Sequence, residues 1–152
     1  SSRWQLGADY RVFSVSGTIA TPMLPASPST GQVKTISAQA IGTGIFIPSG
    51  VLVLNTSFLT SASYDAWLVG VSTRFKAGPK WLLEPGVKYY VQDNASGTTS
   101  KRLAPVGRIS YQWREHVSLE AEFNIEKTRS VAVASNENVT SMFYYIGYRY
   151  DF

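Results

Sequence analysis

Apolar and polar residues alternate with period two in segment after segment, most of these segments run nine to twelve residues between turn signals, and the large rings gather near segment ends. Together these observations predict an all-β chain, an antiparallel up-and-down transmembrane β-barrel with eight strands in this chain, whole or as part of a wider barrel. Residues 1–152 read as a single domain, because the length suits one domain and no compositional break divides it.

The first strand is WQLGADYRV, where Trp4, Leu6, Ala8, Tyr10 and Val12 stand opposite Gln5, Asp9 and Arg11. The next two lie in Val33 to Ile47 and Val51 to Leu59, where small residues blur the alternation. AWLVGVSTRF then sets Trp67, Val69, Val71 and Phe75 against Gly70, Ser72 and Arg74. WLLEPGVKYYVQ sets Trp81, Leu83, Val87, Tyr89 and Val91 against Glu84, Lys88 and Gln92. RLAPVGRISYQWR places Leu103, Ile109, Tyr111 and Trp113 opposite Arg102, Arg108, Gln112 and Arg114. The clearest segment is VSLEAEFNIE, in which Val117, Leu119, Ala121, Phe123 and Ile125 alternate with Ser118, Glu120, Glu122, Asn124 and Glu126. A helix would spread those carboxylates round its circumference. The last strand alternates Met142, Tyr144, Ile146, Tyr148, Tyr150 and Phe152 with Arg149 and Asp151. Pro85 and Pro105 interrupt two of these segments and mark expected bulges, since proline cannot donate a ladder hydrogen bond.

The links between strands suggest a polarity. Even-to-odd links are short, at Pro48 to Gly50, Lys76 to Lys80 and near Arg114. Odd-to-even links read as longer and polar: Ser16 to Gly31, TSAS around Thr60, Asp93 to Ser100 and Lys127 to Val139. Outer-membrane barrels have short periplasmic turns and longer outer loops. The expectation is therefore a bacterial outer-membrane location with both termini periplasmic and the long loops extracellular.

Composition narrows the function classes. The chain is 44% hydrophobic, 13% aromatic and only 16% charged, a balance poor in charge and rich in rings. Its net charge of +4 is not clustered, since no basic run exceeds Lys101-Arg102, and this argues against nucleic acid as a partner. There is no cysteine, which removes disulfides, thiolate nucleophiles and the common zinc motifs. No run of eighteen apolar residues offers a spanning helix. The opening SSRWQ, without Met, reads as a processed or truncated start.

Alternation alone does not say which face meets water. A soluble lipocalin-like barrel turns its apolar face inward round a ligand, whereas a membrane barrel turns it outward to lipid. Strands of nine to eleven tilted residues suffice to cross a hydrocarbon layer. Trp4, Phe75, Trp81, Tyr111 and Trp113, with Tyr148, Tyr150 and Phe152, all fall near the tight-turn side and form an expected aromatic girdle at the headgroups. The ending YIGYRYDF resembles the carboxy-terminal signal of Gram-negative outer-membrane barrels through Gly147, Tyr148, Tyr150 and Phe152. That resemblance implies recognition of the last strand by the barrel-assembly machinery.

Little points to catalysis. The lone His116 sits in a tight polar turn, and no GxSxG, HExxH or glycine-rich phosphate loop occurs. The expectation is a chain that is no enzyme and uses neither cofactor nor metal. What remains is the polar face, with Arg11, Arg74, Lys88, Arg102, Arg108, Arg114 and Arg149 against Asp9, Glu84, Glu120, Glu122, Glu126 and Asp151. Nine of the charged residues, Asp9, Arg11, Arg74, Glu84, Lys88, Arg108, Glu120, Glu122 and Arg149, are the expected lumen-facing network. In a closed eight-strand barrel they would pair into a plug, whereas in a wider barrel they would line a wet channel. Near balance favours pairing at most positions. Near the outer rim, Lys101, Arg102, Lys127 and Arg129 stand where lipopolysaccharide phosphates would be met, although isolated rim cations are usually just solvated.

The segments YDAWLVGVSTRF, KWLLEPGVKYYVQDN, WREHVSLEAEFNIEKTRS and FYYIGYRYDF look like the closing strands of barrels that follow tetratricopeptide-repeat regions in exopolysaccharide-secretion and phage-adsorption proteins. The likeness spans about residues 64 to 152 and is one of style; no functional residue transfers by position. It implies an outer-membrane conduit, wider than eight strands, with periplasmic repeats elsewhere. Three functions are therefore in view: a passive conduit for a hydrophilic substrate such as an exported exopolysaccharide, a closed eight-strand anchor or scaffold, and a soluble ligand-binding barrel. The expected partners are outer-membrane lipid and lipopolysaccharide, the barrel-assembly machinery, and periplasmic or outer-membrane proteins.

Overall fold

Extended backbone dominates a computed structural model of the chain, which describes residues 3–15, 31–132 and 135–150. Eight strands follow one another: β1 (Trp4–Val15), β2 (Gly31–Thr43), β3 (Val51–Thr60), β4 (Tyr64–Lys76), β5 (Trp81–Asn94), β6 (Thr99–Arg114), β7 (Val117–Ala132) and β8 (Ser135–Tyr150). Each pairs antiparallel with its sequence neighbour in a single sheet ordered β1 to β8. Among the described residues no contact joins β1 to β8, so this sheet is open.

Register turns the sequence alternation into two unlike faces. Leu6, Ala40, Leu54 and Val71 stand opposite one another across four strands, as do Tyr10, Ile36, Phe58, Trp67 and Val91 across five. The other face carries the rows Asp9, Ser37, Ser57 and Leu68, and Glu84, Arg108, Glu122 and Tyr145. Among the described residues the buried apolar ones are small, Val33, Ala66 and Ala104, and with Ser118 all stand on the polar face. Large apolar side chains of interior strands stay open instead, with Trp67 49%, Leu119 43% and Phe123 43% exposed. A water-soluble protein rarely leaves so broad an apolar face uncovered.

Several boundaries differ from expectation. The stretch Lys127 to Val139 is mostly strand, with Thr128 opposite Val139 and Arg129 opposite Asn138, so that β7 and β8 are separated only by residues 133–134. The Asp93 to Ser100 loop contracts to residues 95–98, and residues 61–63 link β3 to β4. On the side expected to be tight, residues 44–50 form the longer turn, held by Gly44 N–H to Gly50 O at 2.8 Å and Gly50 N–H to Ile47 O at 2.8 Å. The expected contrast in link length is therefore missing from the described links; most of the Ser16 to Gly31 link lies outside the described residues. The cause is physical. Ladder hydrogen bonds belong to the backbone, so a strand continuing past its apolar band can be polar on both faces and read as loop.

The prolines also behave differently. Pairing skips Thr73 and Arg74 opposite Glu84 and Pro85, and Ala104 and Pro105 opposite Ile125 and Glu126, yet the register resumes unchanged on both sides. Proline removes a donor without inserting a residue. The register instead shifts between Gln112 and Arg114, so Arg114 opposes Val117 and leaves the polar row, its guanidinium 5.5 Å from the Trp113 ring centroid. An extra residue there re-aims the side chain.

Candidate functional site

The polar face is concave, and hollows open along it from β1 to β8. Alternation places the charged side chains of neighbouring strands on one face, and antiparallel register brings opposite signs together. Arg74 Nε lies 2.9 Å from Glu84 Oε1, between β4 and β5. Arg108 donates through Nη2 to Glu120 Oε2 at 2.7 Å, and Arg149 Nη1 approaches Glu120 Oε1 at 3.9 Å. Arg102 meets Glu126 at 3.2 Å, and Asp9 meets Arg11 at 2.6 Å within β1. Every one of these pairs joins residues of the same or adjacent strands. They lie along the wall and none bridges across the hollow.

Of the nine charged residues singled out in the sequence, all stand on this face. Seven join these ion pairs, while Lys88 opposes Gly70 and Glu122 opposes Arg108, neither with an ion pair within 4.0 Å among the described residues. Glu120 is the best shielded carboxylate of the set, its side chain 17% exposed between two arginines. At one end of the face a hollow of about 390 Å³ is bounded by Arg74, Lys76, Lys80, Arg108 and Arg149 together with Glu84 and Glu120. Ser118 lines the same hollow; its hydroxyl is buried without a hydrogen-bond partner. An unsatisfied hydroxyl of this kind costs about 1–3 kcal/mol.

The outward rings form bands. Trp4, Phe75, Trp81, Tyr111 and Trp113 cluster at the end of the sheet bearing the β2–β3, β4–β5 and β6–β7 turns, where the Trp81 and Tyr111 centroids are 4.5 Å apart. Tyr148 and Tyr150 join them on β8, opposite Leu119 and Val117, and Gly147 stands on the polar face opposite Glu120. Phe152 lies outside the described residues. A second row, Tyr10, Phe58, Trp67 and Tyr89, was not singled out from sequence as a belt. The signal was present: Trp67 and Phe75 sit eight residues apart on one face of β4, as do Trp81 and Tyr89 on β5. At about 3.3 Å per residue this is roughly 26 Å along a strand, or roughly 20 Å of height at a tilt near 40°. Trp67 Nε1 donates to Thr56 Oγ1 at 3.0 Å, which satisfies the indole on the outer face.

Register also sorts the rim cations. Lys101 opposes Arg129 and Lys127 opposes Leu103, which puts these three outward, whereas Arg102 faces the concave side with Glu126.

Neither a protein-family model nor a curated protein sequence matches the chain. A solved structure does: OmpT (in-vitro folded), an outer membrane protein of Vibrio cholerae, superposes with a TM-score of 0.62 at 14% identity, over 99% of this chain and 52% of that one. The chain has the fold of an outer-membrane β-barrel. It spans about half the length of the structure it matches. At this identity the likeness speaks for fold alone. The resemblance to tetratricopeptide-repeat barrels continues to rest on the sequence segments that suggested it.

Proposed function

We propose that this chain contributes to an integral outer-membrane barrel wider than eight strands, whose concave polar face lines a passive conduit for hydrophilic solutes. The observation that carries this reading is the open sheet: among the described residues β1 and β8 make no contact, although a closed eight-strand barrel requires them to pair. Ion pairs that run along the wall support it, because charges paired in this way leave the axis free, whereas a plug needs pairs across the lumen. The span of about half the matching structure fits the same view.

A soluble ligand-binding barrel would need its apolar face inside, and the hollows here are bounded chiefly by the polar one. In the proposed arrangement, lipid meets the outward apolar face and its rings, and the barrel-assembly machinery meets β8. The lumen-facing role of the charged residues belongs to this proposal. So do periplasmic termini, and export of an exopolysaccharide, which the resemblance favours. Passive conduction requires no catalytic group, and His116 stands in the β6–β7 turn with its ring 6.3 Å from that of Tyr150.

The test is electrical. The intact protein reconstituted in planar bilayers is expected to give stable open-channel conductance that scales with salt concentration. Folded, inserted protein that never conducts would overturn the conduit in favour of an anchor.

A further inference from the structure

Charge is unevenly spread along the concave face. Away from the end hollow, Arg11 and Arg102 pair with Asp9 and Glu126, and Lys88 and Glu122 bring opposite signs to one hollow without an ion pair. Within the hollow, the five cations Arg74, Lys76, Lys80, Arg108 and Arg149 face only two carboxylates, Glu84 and Glu120. Both carboxylates already pair with arginines and Glu122 stands opposite Arg108, so among the described residues Lys76 and Lys80 are the cations of this hollow without an ion pair, in a space of about 390 Å³. A concave, partly dewatered wall focuses such a field and raises the local concentration of counter-ions.

Ser118 supplies an independent observation. It is 4% exposed, lines this hollow between Gln112 and Arg149, and its hydroxyl has no partner. A hydroxyl donor beside arginine forks is a combination suited to oxyanions, because guanidinium donors match carboxylate and phosphate geometry. Nε2 of the Gln112 amide is already engaged, donating to the Arg114 and Glu115 carbonyl oxygens at 2.6 and 3.2 Å, rather than to the serine oxygen.

We infer that this hollow is an oxyanion-binding site that takes the carboxylate or phosphate groups of solutes, with Arg74, Lys76, Lys80, Arg108 and Arg149 as the cationic wall and Ser118 as a hydroxyl donor. It rests on the conduit reading for its role, since it makes the solutes anionic; its binding chemistry stands without that reading. The site lies on the concave side, behind the Trp81 and Tyr111 rings of the outer face, so a soluble anion reaches it rather than a bilayer headgroup.

Trp81 borders the hollow and provides a readout that needs no open channel. Titrating the intact protein in detergent with inorganic phosphate, and separately with acetate, at constant ionic strength should give a saturable change in tryptophan emission. This change should vanish in W81F. K76Q/K80Q should weaken the response about tenfold, and S118A several-fold with no change in net charge; R149Q replaces the double variant if that fails to fold. In bilayers under a potassium chloride gradient, the wild type should favour chloride and K76Q/K80Q should lose that preference. No saturable phosphate or acetate response, or an equal response in K76Q/K80Q, overturns the site. Saturable binding without conductance would retain the site and remove the conduit, whereas conductance without binding or anion preference would do the reverse.

Discussion

Glu120 concentrates the side-chain energetics of the concave face, since one carboxylate accepts from Arg108 at 2.7 Å and lies 3.9 Å from Arg149. Removing its charge leaves two guanidinium groups facing each other across a shielded position. Hydrogen bonds to charged groups are worth roughly 1.5–3 kcal/mol when sheltered and less when partly wet. Glu120→Gln is therefore expected to cost about 1–2 kcal/mol. Glu122 is exposed and makes no ion pair among the described residues, so Glu122→Gln should be close to neutral. Urea midpoints for refolding into lipid vesicles compare the two; equal losses would contradict the assigned pairing. Both glutamates were visible in the sequence as members of one polar row. Their inequality was not, because it depends on which arginine rotamers reach across the register. The same limit hid Ser118, whose burial follows from long neighbours on adjacent strands.

At the level of the strand, alternation was sufficient to find all eight elements and the faces of six, because an outward row must be apolar whatever its exact packing; in β2 and β3 small residues blurred the period and the register supplied the faces. Strand ends were less legible. β7 and β8 continue as a ladder through Lys127, Arg129, Asn138 and Asn136, where water wets both faces and the hydrophobic period stops reporting. The bulge at Trp113 was equally hidden, since no residue type announces an unpaired position. The band between the ring rows makes a depth-dependent prediction. Val71 lies midway between Trp67 and Phe75 on the outward face of β4 and is 37% exposed. Val71→Arg should destabilise the barrel by about 2–4 kcal/mol, whereas Trp113→Arg at the ring row should cost only about 0–1 kcal/mol from its charge. Chemical unfolding from vesicles measures both. Similar losses at the two depths would place hydrocarbon elsewhere than between the rows.

For the whole molecule, the question is how a sheet with two separate edge strands can sit in a bilayer. Exposed N–H and C=O groups along an edge have no water to bind within hydrocarbon, and each unsatisfied group costs several kcal/mol. With β1 and β8 apart, the membrane reading requires further strands to complete the wall. Closing the sheet on itself is the alternative, and the two differ in one distance. Neighbouring strands lie about 4.8 Å apart, so the seven steps from β1 to β8 trace an arc of roughly 34 Å. Leu6 and Ile146 are suitable reporters, being 81% and 83% exposed on the outward face near the two edges. Spin labels at these positions in the reconstituted protein should be separated by more than about 20 Å, the chord expected when that arc belongs to a wider barrel. A closed eight-strand ring would bring the labelled backbones to nearly adjacent-strand spacing. That result would leave the concave charges too close for a wet axis, and would convert the wall-hugging pairs into the beginnings of a plug.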